Sequence, residues 1–253
     1  MAGELPYLPD HSAIYLGDAF NLIKLVAPGT VRLLLCDPPY NVSQANNLHT
    51  MGRRSINFGE WDHEFDQTGW LEDAVKTLVP RGSMVTWNDW KLLGFIAAHL
   101  QSLGMYVKRQ MRWVKNNPIP RNMLRVPVQA DECCLWAVKP PKGKWVFNKR
   151  KTVSYERGEF HHPVIIHAHP NKKPHKIFKE IIEIFSNKGD LILDPFAGGG
   201  TTARAAHATG RRHISFENNP EFYELAVAEL AKVTSVTRFE GFGGGGSLAL
   251  NSP

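Results

Sequence analysis

Cysteine is scarce, with three residues in 253, and two of them, Cys133 and Cys134, are adjacent. No CxxC pair occurs, so neither a disulfide framework nor a thiolate zinc site is available, and a reduced, cytoplasmic chain is expected. Runs of 18 apolar residues are missing, which excludes a membrane span on hydropathy. Residues 1–10 hold two prolines and two acids but no basic region followed by an apolar one, so no secretory signal is expected. His161, His162, His167, His169 and His175 cluster, yet their spacing fits no tetrahedral template, and no metal is expected. No internal repeat is visible, and low complexity is confined to the end, where Gly243–Gly246 and Ser247 indicate a flexible tail over 239–253.

What is present is ordinary in bulk: 43% hydrophobic and 21% charged residues, close to an average globular chain of one or two domains. Thirty Lys and Arg against 24 Asp and Glu give a net charge of +6, which suits a polyanion partner without requiring one. The excess is concentrated. Lys139, Lys142, Lys144, Lys149, Arg150 and Lys151 follow one another with Trp145 and Phe147 between them, and Lys172, Lys173, His175 and Lys176 come soon after. Either stretch is a nucleic-acid contact or a solvated face.

Apolar periodicity predicts a helix over 177–185, ending near Asn187-Lys188-Gly189, and a short strand over 190–194. Phe196-Ala197-Gly198-Gly199-Gly200 is a glycine loop, followed by a helix over 201–209 and a strand over 212–216 that runs into Glu217. Asn219, Pro220 and Glu221 provide cap, first-turn proline and first-turn acid for a last helix reaching about Lys232. The first half alternates likewise: strands over 13–16, 31–36, 83–87 and 106–113, and helices over 20–25, 70–78 and 90–103. Such alternation implies an α/β fold with a mostly parallel sheet, its two halves flanking a proline-rich, basic middle.

Two loops carry chemistry. The glycine loop follows a strand ending in Asp194 and lets backbone approach a ligand closely, while Glu217, 23 positions on, is placed to accept from ribose hydroxyls. It lacks the lysine of a P-loop and departs from GxGxxG, so an adenosine-bearing ligand other than ATP is expected, unless the turn is purely structural. Asp37-Pro38-Pro39-Tyr40 ends another apolar strand. A carboxylate, a carbonyl and an aromatic face held by two prolines suit a planar group with an exocyclic amine. The long stretch from Asn41 to Glu60, with Arg53 and Arg54, and then Trp61, is either a loop that closes over a polyanionic partner or a solvated excursion.

Asp37-Pro-Pro-Tyr40 together with Asp194-Pro-Phe-Ala-Gly-Gly-Gly-Thr-Thr202 resembles the S-adenosylmethionine-dependent DNA amino-methyltransferases, which act on adenine N6 or cytosine N4. Ile14–Phe20, His169–Pro174 (HPxxKP) and Trp113–Pro118 (WxKxxP) are similar to further family segments, so the resemblance covers about residues 13–233. The tetrapeptide precedes the glycine loop by 157 positions, as in the permuted β group. The resemblance implies one Rossmann-like methyltransferase domain over 1–238 with a seven-stranded type of sheet and a small recognition insert at about 118–168. It assigns catalysis to Asp37, Pro38, Pro39 and Tyr40. It assigns S-adenosylmethionine to Asp18, Ala19, Phe20, Asp37, Lys173, Asp194, Phe196, Ala197, Gly198, Gly200, Thr201, Thr202, Glu217 and Asn218. Double-stranded DNA is the implied partner, with Arg53, Arg54, Lys142, Lys144, Lys149, Arg150 and Lys151 as contacts, and a homodimer is compatible with it. Asp rather than Ser at the head of the tetrapeptide leans toward adenine. Cytosine-N4 or RNA methylation, protein-glutamine methylation (usually headed by Asn) and a DNA-binding module without catalysis are the competing readings.

Overall fold

The computed structural model describes residues 7–8, 12–40, 65–118, 127–148, 158–164 and 173–233. Among these, eight strands form one sheet: β1 (Ala13–Leu16), β2 (Val31–Cys36), β3 (Leu78–Asn88), β4 (Tyr106–Lys115), β5 (Asp131–Val138), β6 (Glu159–His162), β7 (Leu191–Asp194) and β8 (Arg212–Glu217). Their order is β1-β8-β7-β2-β3-β5-β4-β6, and β5 alone runs antiparallel to both of its neighbours. Six α-helices accompany them: α1 (Ala19–Leu22), α2 (Leu71–Thr77), α3 (Trp90–Ser102), α4 (His175–Phe185), α5 (Thr201–Ala208) and α6 (Pro220–Ala231).

Period-two alternation assigns each strand's side chains to opposite cores. On β2, Leu34 and Cys36 join one cluster with residues of α1, α2 and α3, whereas Leu33 and Leu35 join the other, packed against α4. Met84 and Val85 of β3 divide in the same way. Helix ends follow their capping residues: Asp18 accepts from the Phe20 amide at 3.0 Å and Asn219 from the Glu221 amide at 2.8 Å.

One topological feature places the site. The parallel neighbours β2 and β7 lie at the centre of the sheet; the chain leaves β2 toward β3 on one side and β7 toward β8 on the other. A crevice opens where such connections diverge, outside the carboxyl ends of the strands. Asp37 and Asp194 are therefore brought to one edge despite their distance in sequence.

The structure adds detail to two expectations. The sheet has eight strands rather than seven, because the short β6 pairs with the outer edge of β4 through Arg112 to Lys115. The basic middle, expected as an insert over 118–168, contributes β5 and β6 to the sheet itself. Its Cys133–Val138 run is buried between β3 and β4, with Cys134 and Ala137 fully inaccessible. The tail 239–253 lies outside the described residues.

Candidate active site

Strand β2 delivers Asp37, Pro38, Pro39 and Tyr40 to the crevice. One Asp37 carboxylate oxygen accepts the Tyr40 hydroxyl and the other accepts the Lys173 ammonium, both in very close contacts. Lys173, immediately before α4, also donates to the Tyr40 hydroxyl at 2.8 Å and lies 3.5 Å from Glu132 Oε2 at the start of β5. The other Glu132 oxygen, Oε1, is 2.7 Å from Lys115 Nζ at the end of β4. Two carboxylates and two ammonium groups thus alternate, with Lys173 flanked by the Tyr40 and Trp87 rings at 5.2 Å each. Burial would lower the Lys173 ammonium, but Asp37 and Glu132 hold it above its ordinary value. Burial would raise Glu132, but Lys173 and Lys115 keep it below. Burial and the Asp37 charge together push the Tyr40 hydroxyl far up, so it stays a hydrogen-bond donor.

Beneath the turn, Gln67 donates to the Pro39 carbonyl at 2.7 Å and accepts from the Asn88 amide at 2.7 Å. Both side chains are buried.

Beside the tetrapeptide lies a cleft of about 280 Å³, lined by every expected cofactor residue except Gly200. Gly200 is the αL cap of α5 (φ 72°), where a Cβ would come within 3.1 Å of the Ala226 Cβ. Gly198 (φ 48°) instead donates its N–H to Glu217 Oε2 at 2.7 Å, and the Asn219 N–H donates to Oε1 at 2.9 Å. Burial raises the Glu217 carboxyl against those backbone bonds. Burial also pushes Asp194 up to about 7, even though the Phe196 N–H donates to it at 3.0 Å. One wall is aromatic: Phe65 packs edge-on against Phe20 and Phe196, at 5.8 and 5.3 Å between ring centroids.

The donor set fits S-adenosylmethionine. Asp18, Asp37, Asp194 and Glu217 line the cleft against the single lysine Lys173, which favours a cationic sulfonium. Glu217 accepts the Gly198 and Asn219 N–H groups and, with roughly four acceptor sites on its carboxylate, keeps capacity for a hydroxyl. The aromatic wall suits a purine.

The basic residues separate differently. Arg53, Arg54, Lys149, Arg150 and Lys151 lie outside the described residues, as do 41–64 and His169–Lys172. Lys142 and Lys144 are exposed and follow β5 at the opposite edge of the sheet from the cleft. Glu132 opens β5 at the catalytic edge, and Lys139 follows its far end, seven residues and about 24 Å away at roughly 3.4 Å per residue. There Lys139 donates to the Leu78 carbonyl at 2.7 Å, and Asn148 caps α4 through the Glu183 and Ser186 carbonyls at 2.9 Å. Trp145 and Phe147 pack on Trp136.

His162 pairs with Glu180 at 3.0 Å and His161 with Glu159 at 3.1 Å; among the described residues no group of three or more His, Cys, Asp or Glu is arranged to hold a metal. No helix among them is long and apolar enough to cross a membrane. All three cysteines are buried, and burial raises each thiol.

Sequence reasoning missed Gln67, Asn88, Glu132 and the ring of Phe65. The first three are polar residues without a motif, and only pairing of distant strands brings them to the site.

Comparison with known proteins agrees with this geometry. The 27%-identical Type II methyltransferase M2.LlaDCHI of Lactococcus lactis subsp. cremoris aligns over 249 residues, 90% of this chain and 92% of the relative. M2.DpnII of Streptococcus pneumoniae, also a Type II methyltransferase, is 27% identical over 89% of this chain and 92% of its own length. Among solved structures, the M1.HpyAVI–SAM complex superposes with a TM-score of 0.68 at 33% identity, covering 86% of this chain and 99% of that one. The cytosine-N4-specific PvuII DNA methyltransferase shares the fold at a TM-score of 0.65 and 19% identity, covering 89% of this chain and 88% of its own. The family model described as DNA methylase (N6_N4_Mtase) matches residues 31–228, and the chain belongs to that family.

Proposed function

We propose that this DNA methylase transfers a methyl group from S-adenosylmethionine to the N6 amino group of adenine in double-stranded DNA, acting on a base extruded from the duplex. The observation that carries the reading is Asp37, which heads the tetrapeptide at the sheet's switch point, beside a cleft rich in carboxylates. By the resemblance, Asp rather than Ser at this position leans toward adenine. The name of the M1.HpyAVI–SAM complex supports the methyl donor.

The Gly198–Thr202 turn and Glu217 would hold the adenosine half, and Asp18–Phe20 with the aromatic wall would receive the purine. S-adenosylmethionine supplies a methyl carbon on a sulfonium, electrophilic enough for a neutral amine to take. Asp37 and the Pro38 carbonyl accept the two amino hydrogens and turn the nitrogen lone pair toward the donor, so orientation carries much of the rate. As the nitrogen becomes cationic, the Asp37 carboxylate stabilises the charge. Tyr40 offers the extruded base a ring to stack on, which offsets part of the unstacking cost of a few kcal/mol. The amine attacks directly, its new N–C bond forming as the methyl–sulfur bond breaks to leave a neutral thioether and the alkylated nitrogen losing one proton to solvent, and the buried cysteines take no part.

Radiolabelled methyl transfer to duplex DNA, followed by digestion to nucleosides, tests the reading. N6-methyladenine is expected; label in N4-methylcytosine would replace it with the cytosine reading, and cofactor binding without any transfer would leave a DNA-binding module. Asp37→Ala is expected to slow single-turnover methylation by at least about 100-fold, the scale of losing one preorganised transition-state partner, with a much smaller loss of cofactor affinity.

A further inference from the structure

Asp37 has no oxygen to itself. Tyr40 donates to one and the Lys173 ammonium to the other. Lys173 therefore stands where a target amine has to bind, and it brings a positive charge beside a nitrogen that becomes cationic as it reacts. The ammonium has a second anion within reach. Glu132 Oε2 lies 3.5 Å away, while Oε1 is already held by Lys115 at 2.7 Å, which fixes the carboxylate and leaves Oε2 facing Lys173. The ammonium lies 5.2 Å from the centroids of both the Tyr40 and the Trp87 rings, which give it favourable contacts on two sides.

We propose that Glu132 is a positioning residue for methyl transfer: it receives the Lys173 ammonium when the target amine takes its place on Asp37. The proposal rests on Asp37 being the amine acceptor. Lys173 then satisfies the half-buried Asp37 carboxylate before the amine arrives, and is handed over rather than released into the pocket. Glu132 touches neither base nor cofactor in this scheme and acts through Lys173 alone. Nothing in its sequence context marks it, since it precedes a run of apolar strand residues.

The experiment is single-turnover methylation of duplex DNA at saturating cofactor, with cofactor and DNA affinities measured separately. Glu132→Gln keeps the shape but removes the receiving charge; the rate is expected to fall by about 10-fold or more while both affinities stay within about twofold. Glu132→Asp, which keeps the charge, is expected to recover most of the loss. Adding Lys173→Gln to Glu132→Gln removes the stranded cation, and the double variant is expected to be faster than Glu132→Gln alone, an effect no merely structural role of Glu132 produces. A Gln variant as fast as the parent, an Asp variant as slow as the Gln variant, or a double variant no faster than the single would each overturn the proposal. Should the Gln variant lose cofactor binding through misfolding, the Asp variant decides by the same comparison. A parent protein that methylates no DNA would instead overturn the functional reading beneath it.

Discussion

The side-chain amide of Gln67 donates to the Pro39 carbonyl at 2.7 Å, 28 positions away in the chain. Because the Gln67 oxygen is in turn held by Asn88 at 2.7 Å, the catalytic turn is tied to the end of β3 as well as to β2. Leucine at 67 would fill the space but leave the Asn88 amide and the Pro39 carbonyl short of a partner, and Asn88 is only 2% exposed. A buried unsatisfied group costs about 1–3 kcal/mol. We expect Gln67→Leu to lower the melting temperature by roughly 2–10 °C on that basis. Single-turnover methylation should fall further than the stability loss explains, because the turn that aims Asp37 is freed. Thermal unfolding and a rate measured well below the transition check the two halves. An unchanged rate would make the brace merely structural.

Gly200 makes a second, independent constraint. Its φ of 72° and the 3.1 Å approach of a would-be Cβ to Ala226 penalise any side chain twice, through backbone strain and through the packing of α5 on α6. Gly200→Ala is expected to cost on the order of 1–3 kcal/mol. Ala226→Gly in the same chain removes the Cβ contact but neither the 3.2 Å approach to the Ala226 backbone nor the strain, so it should return only part of the loss. Urea unfolding of the three variants tests this. Full recovery would assign the whole effect to packing.

Much of this was legible in the sequence, and the division has a physical basis. Strands β2 and β7 announce themselves as apolar runs ending in Asp or just before one, and the caps of α6 are written locally in Asn219, Pro220 and Glu221. Properties that depend only on neighbours in sequence are readable there. Strand β5 was obscured because its apolar run sits between an acidic pair and a basic, proline-rich stretch, so composition over a window describes its flanks rather than itself. The meeting of Glu132 with Lys173, or of Gln67 with Pro39, depends on strand order, which no local pattern encodes. The place of Lys142 and Lys144 in the fold was hidden for a related reason. Charge density says that a segment is polar; only the antiparallel direction of β5 says which edge it reaches.

Two buried groups give opposite pH dependences of stability. Asp194 is held up to about 7 by burial, so the folded protein keeps a proton that the unfolded chain loses near about 3.9. Its contribution is greatest in acid and is lost as pH rises from about 4 to 7. His213, 1% exposed and pushed down to about 4 by burial, behaves in the reverse sense. The unfolded chain takes up its proton first, from about 6.5 downward, so stability is lost as pH falls from there toward 4. The two slopes oppose each other in the parent protein. Relative to it, Asp194→Asn should make stability rise more steeply from pH 4 to 6.5, and His213→Gln should make it fall between pH 4 and 7, by on the order of 3 kcal/mol each at the far end of the window. Urea titrations of the cofactor-free proteins at several pH values would detect this, and parallel curves for parent and variants would refute it.

The far-edge lysines yield the last expectation. Duplex DNA that presents a base to Asp37 runs across the carboxyl edge of the sheet, and Lys142 and Lys144 stand roughly the length of β5 from that edge, about 24 Å. Each phosphate contact contributes about 0.9 to the slope of log affinity against log salt. Lys142→Ala with Lys144→Ala should therefore leave that slope, the DNA affinity and the single-turnover rate unchanged. A slope smaller by nearly two would mean that the duplex wraps to the far edge and that these lysines touch its backbone after all. The same titration on Lys115→Ala acts as a contrast. Lys115 is at the catalytic edge but is committed to Glu132 at 2.7 Å and lies over the Trp113 ring at 5.1 Å. Its loss should slow methyl transfer by loosening Glu132, with little effect on the salt slope. Charge near the site and charge that binds DNA are then separable by measurement, which net charge alone could never make them.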